Sequence, residues 1–138
     1  MGCDAHTELI MRRLFYIVLV LSAFGVKAQE RIIEISRTFS GDMGYSSIII
    51  DEKKTVFTSI SYMRAGEDNY KERCTKGWDE FVKGIDLEAF KQIKGKVIYD
   101  ASVTITIKTN KGTYSKDNGN GAQWEWITKY VDACRKRL

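Results

Sequence analysis

Residues 102–108 alternate without a break, with Val103, Ile105 and Ile107 on one side and Ser102, Thr104, Thr106 and Lys108 on the other. Successive side chains of a strand point to opposite faces, so this segment has one apolar face and one wet face. A strand of that kind belongs in an antiparallel sheet covered on a single side; strands of parallel sheets, buried on both faces, read as continuous apolar runs. The rest of the chain must cover one face and leave the other in water.

Three earlier segments suit the same sheet. Arg31 to Arg37 carries isoleucines at 32, 33 and 35, and Tyr45 to Asp51 holds the β-branched run Ile48-Ile49-Ile50. Thr55 to Met63 alternates Val56, Thr58, Ile60 and Tyr62 against Phe57, Ser59, Ser61 and Met63. Ser40-Gly41-Asp42-Met43-Gly44 and Asp51-Glu52-Lys53-Lys54 supply the turns between them. Residues 64–73 are polar and read as a loop or the start of a helix. Trp78, Phe81, Val82 and Ile85 then recur at i, i+3, i+4 and i+7, the stripe of an amphipathic helix with Gly84 as its stop. Asp86 stands where it would cap a short second turn carrying Leu87, Phe90 and Ile93, ended by Gly95.

Asn110-Lys111-Gly112 turns the alternating strand into another that runs through Tyr114. After the loop Asp117-Asn118-Gly119-Asn120-Gly121, a last helix begins near Ala122 with Trp124, Ile127, Val131 and Cys134 at helical spacing and Tyr130 beside them. The order expected is β-β-β-α-β-β-α, an α+β fold with a single antiparallel sheet and helices packed on one face.

Ahead of this domain stands a leader. Arg12 and Arg13 precede an apolar core, Leu14–Phe24, and Val26-Lys27-Ala28 puts small side chains at the two positions a signal peptidase reads. The core is 11 residues long, well short of the roughly 20 that a bilayer-spanning helix needs. Residues 1–28 therefore read as a signal peptide cleaved before Gln29, and residues 29–138 as one exported domain without a transmembrane segment. Asp4 and Glu8 are out of place in an n-region, which makes Met11 the better initiator. Cys3 precedes the apolar core and so cannot be a lipidated cysteine.

Cleavage leaves 110 residues, with 19 basic and 16 acidic side chains and a charge of about +3. Acids interrupt nearly every basic cluster, whereas a nucleic-acid binder concentrates its charge on one face, so no nucleic-acid partner is expected. His6 is the only histidine and leaves with the leader, which removes imidazole from any catalytic or metal-binding role in the mature chain. Cys74 and Cys134 remain, and an even pair in an oxidising compartment reads as a disulfide.

Few residues point to chemistry. Asp79-Glu80 and Asp86 with Glu88 offer carboxylates but no apolar surround that would raise a pKa. In the Asp117–Gly121 loop only Asp117 fits a calcium-loop ligand position, and Thr128 stands where the bidentate glutamate belongs. Arg135-Lys136-Arg137 suits the negative end of a helix dipole. No catalytic residue, cofactor or metal is expected.

Two features point to partners. Trp126 lies about 200° round the helix from Trp124, so both cannot face one core, and an exposed indole favours an interface. In the hairpin tip Phe39-Ser40-Gly41-Asp42-Met43-Gly44-Tyr45, apolar side chains punctuate a glycine turn. Phe39, Met43, Tyr45 and Trp126 are accordingly the expected contact residues. The stretch Ile35-Ser36-Arg37-Thr38-Phe39-Ser40-Gly41-Asp42-Met43-Gly44 resembles the R-x-G-G-F-x-G opening of the emfourin-type inhibitors of thermolysin-like metallopeptidases, departing from it in spacing and at Asp42. That resemblance implies a peptidase inhibitor presenting the 39–45 tip. The expected function is a small exported, non-enzymatic module binding another protein or an envelope component. A peptidase inhibitor is the first alternative, and a hydrolase using carboxylates alone the second.

Overall fold

A computed structural model describes residues 29–64 and 68–138. The leader and its cleavage site lie outside the described residues. The elements run β1 (Ile32–Gly41), β2 (Gly44–Asp51), β3 (Lys54–Ser61), β4 (Asn69–Cys74), α1 (Trp78–Lys83), α2 (Leu87–Lys91), β5 (Ala101–Thr109), β6 (Thr113–Asp117) and α3 (Ala122–Lys136). The six strands make one sheet in the order β4-β3-β2-β1-β5-β6, every neighbouring pair antiparallel.

The α+β class holds, but the order expected does not match in detail. Residues 69–74 form an additional strand rather than a loop, pairing Lys54 with Cys74 through Ser59 with Asn69. The stretch that the expected order counts as one helix is two, broken where the sequence placed the stop and the cap: the Gly84 N–H bonds back to the Phe81 carbonyl and closes α1, and Asp86 caps α2 by accepting from the Ala89 N–H at 3.0 Å.

Register sorts the side chains. Ile35 lies between Ile50 and Ile107, and Arg37 between Ile48 and Ile105. This inner face carries Ile35, Ile48, Ile50, Ile105 and Ile107, all buried. Strict alternation from Ile35 would send Ile32 to the other face. An extra residue at Ile33, which sets both Ile33 and Glu34 against Lys108, brings Ile32 back opposite Thr109 and into the core. The outer face carries Ser36, Thr38, Ser40, Thr104 and Thr106, where cross-strand hydroxyls bond one another, as between Thr106 and Ser115 at 2.7 Å.

Trp78 and Phe81 from α1, Phe90 from α2, and Ile127, Val131 and Cys134 from α3 complete one core with the isoleucines. Each fully buried isoleucine or phenylalanine contributes roughly 1.5–3 kcal/mol. α3 holds the short helices in place. Phe81 stacks on Tyr130 at 3.7 Å between ring centroids, the Trp126 indole N–H donates to the Phe81 carbonyl at 3.2 Å, and the Tyr130 hydroxyl donates to the Lys76 carbonyl at 2.9 Å. The Gln123 side-chain oxygen accepts from the Asp86 N–H at 3.1 Å.

Candidate functional site

The β1–β2 turn, the end of β3 and the segment entering β5 meet at one end of the sheet. Gly41 pairs with both Gly44 and Ala101, and Gly44 with Ser61. The Tyr62 N–H donates to the Met43 carbonyl at 3.1 Å, which ties the chain beyond β3 to the turn. On the other flank the Lys96 N–H donates to the Asp117 carbonyl at 2.9 Å, and the Asn118 side chain bridges the Lys96 carbonyl and the Val103 N–H. These bonds fix the 96–100 segment beside the hairpin.

This end carries an apolar surface. Twelve large hydrophobic side chains are exposed among the described residues, and eight of them lie here: Phe39, Met43, Ile60, Tyr62, Met63, Val97, Ile98 and Tyr99. Met43 is 72% and Tyr99 96% exposed. Scattered single hydrophobics are ordinary on a surface; here eight are gathered at one end of the sheet, with Phe39 on its inner face and Ile60 on its outer face.

Of the contact residues expected from sequence, Phe39, Met43 and Tyr45 belong to this end. Phe39 is on the inner face opposite Val103 and Ser46, whereas half-buried Tyr45 is on the outer face opposite Ile60. Trp126 is elsewhere, on the side of α3 that meets α1. It is 43% exposed, with its indole N–H bonded to Phe81 and its ring laid over Gly84. Sequence reading did not bring Ile60, Tyr62 and Met63 to this end of the sheet, nor the 97–99 run. The consecutive Val97-Ile98-Tyr99 after Gly95 is the signal that could have found the latter.

Of the carboxylates singled out in the sequence, Asp79 and Glu80 are exposed in the first turn of α1, and the others are engaged locally. Asp86 caps α2, Glu88 pairs with Lys91 at 3.0 Å, and Asp117 accepts from the Thr104 hydroxyl at 2.6 Å. Among the described residues no group of three or more His, Cys, Asp or Glu side chains is placed to hold a metal ion.

The cysteines are not joined. Cys74 ends β4 on the outer face, exposed, opposite Lys54, while Cys134 is 3% exposed in the core beneath the inner face. The sheet separates them, and the Cys134 sulfur instead accepts from Arg137 Nη2 at 3.2 Å. Burial pushes the neighbouring Tyr130 hydroxyl well above its usual pKa, the Cys134 thiol adding to the shift and Arg137 opposing it.

Compared with protein-family models, curated proteins and solved structures, the chain shows no significant match. Among the described residues no helix is long and apolar enough to cross a membrane.

Proposed function

We propose that this chain is an exported, non-enzymatic binding module that docks another protein or an envelope component on the apolar end of its sheet. The observation that carries the reading is the gathering of eight exposed hydrophobic side chains at that end. They come from three separated segments that backbone hydrogen bonds hold together. Aromatic and methionine side chains dominate the patch, the residue types that interfaces favour. The test is cross-linking capture from envelope extract with wild type and a Met43→Ser/Met63→Ser variant as paired baits. Exposed substitutions of this kind change stability by no more than about 0.5 kcal/mol, so loss of the captured partner reports on the surface itself. Equal capture by both baits removes the apolar end from the argument.

A second reading, inhibition of a secreted peptidase by the 39–45 tip, is favoured by the exposure of Met43 at the apex of the β1–β2 turn. Titrating the protein into a thermolysin-like peptidase assay decides it. Inhibition abolished by Met43→Ser supports the reading, and full activity in molar excess of the protein ends it.

A further inference from the structure

α3 crosses the inner face with two different sides. One packs Ile127, Val131 and Cys134 into the core. The other carries Trp124, Thr128, Asp132 and Arg135, spaced to share one side of the helix and facing the half of the inner face that α1 and α2 leave open. Between this side and the sheet runs a cleft of about 710 Å³, within the range of small-molecule sites.

The cleft has an apolar end and a basic end. Phe39, Val103 and Trp124 line the first. The Trp124 wall is built in: the ring lies so close over Gly119 that a Cβ there would stand 2.5 Å from it. Arg37 and Arg135 line the second. Arg37 rises from the sheet with its side chain only 15% exposed and is paired with Asp132 at 2.7 Å. Arg135 lies over the Phe57 ring at 4.8 Å and has no carboxylate within ion-pair range among the described residues. Thr128, between the two ends, has a buried hydroxyl with no hydrogen-bond partner, and unmet capacity of that kind is uncommon in a folded protein.

We infer that this cleft binds a small amphipathic carboxylate, its apolar body against Phe39, Val103 and Trp124 and its acid group on the Arg135 guanidinium. Two guanidiniums face one carboxylate, so the basic end is complementary to a monoanion. A phosphate dianion is disfavoured because Asp132 already occupies Arg37 and would repel the second charge. The Thr128 hydroxyl, turned about χ1 toward the cleft, supplies a neutral hydrogen bond to the acid group. The inference does not depend on the partner-docking reading; Phe39 is the one residue the two surfaces share.

The test is titration of the protein with octanoate, followed by calorimetry and by the backbone and indole NMR signals. Octylammonium, with the same tail and opposite charge, and acetate, with the acid group alone, serve as comparison probes. Saturable 1:1 binding of octanoate that shifts the Trp124 indole signal is expected, at least tenfold tighter than either comparison probe. Arg135→Gln should weaken octanoate binding fivefold or more. Thr128→Val should weaken it about threefold without lowering the thermal midpoint, since the hydroxyl makes no internal bond. Equal binding of octylammonium, an unchanged affinity in Arg135→Gln, or shifts confined to Met43 and Met63 would each overturn the assignment.

Discussion

Gly84 is the position where a single methyl group tests how α1 is held. A Cβ built there stands 2.5, 2.6 and 2.8 Å from Cζ2, Cε2 and Nε1 of Trp126. Non-bonded heavy atoms rest at about 3.5–4.0 Å, so the indole must move by roughly 1 Å or more. The backbone is no obstacle, because φ −80° and ψ −4° lie in the right-handed region. On that ground alone Gly84→Ala would stabilise the protein by about 0.4–1 kcal/mol through the unfolded chain. Against it stand the bond from the indole N–H to the Phe81 carbonyl, about 0.5–1.5 kcal/mol, and overpacking of about 1–3 kcal/mol. The clash wins, and a net loss of about 1–3 kcal/mol is expected.

Urea unfolding followed by tryptophan emission measures that loss, and the native emission of the variant should shift to the red as Trp126 leaves its seat. The decisive comparison is the same substitution in a Trp126→Ala background. There the methyl group meets no ring, and Gly84→Ala should be neutral or stabilising by up to about 1 kcal/mol. A cost equal in the two backgrounds would refute the reasoning, because the indole could not then be its source.

Two further outcomes follow from the environments of Tyr130 and the cysteines. The Tyr130 pKa is raised above its ordinary 10.0 mainly by burial, so the stability it contributes is complete below pH 10 and is lost as the pH climbs through the higher folded-state value. Wild type should be more stable than Tyr130→Phe near neutrality, through the hydroxyl bond to Lys76, and the gap measured by urea unfolding should narrow above pH 10; a constant gap from pH 8 to 11 contradicts it. Alkylation under native conditions followed by peptide mapping should label Cys74 and spare Cys134 until the protein unfolds. Labelling of Cys74 only after reduction would instead establish the disulfide expected from sequence.

What the sequence made legible follows from where side chains are buried. β5 announced itself because its neighbours bury one face and leave the other wet; alternation also located β3, while β1 and β2 were read from their isoleucine-rich runs. β4 left no such mark: all six of its residues, Asn69 to Cys74, are exposed, so no alternation of polarity was available to read. Charged Lys71, Glu72 and Arg73 suit an edge strand, whose unpaired amides would otherwise invite another chain. The cap of α2 was readable at Asp86 because capping is local chemistry.

The candidate sites divide in the same way. The hairpin tip could be read from Phe39, Met43 and Tyr45, which are close in the chain. That Met63 and Tyr99 join the same surface depends on the pairing of Gly44 with Ser61 and of Gly41 with Ala101, contacts that no short window of sequence contains. The open cleft was hidden for a related reason. Arg37 looked like the end of a strand, and only Asp132, far along the chain, shows why a guanidinium stands among isoleucines.

The extra residue in β1 works as a frame correction. Upstream of it the chain is read in one parity and downstream in the other, and Ile32 and Ile35 reach the same core only because the shift falls between them. Removing Ile33 would leave a regular strand with the first isoleucine still on the core side, whereas keeping Ile33 and straightening the bulge would turn Ile32 to the water. Chains that descend from a common ancestor with this one should gain or lose that residue only together with a one-step displacement of the apolar position before it.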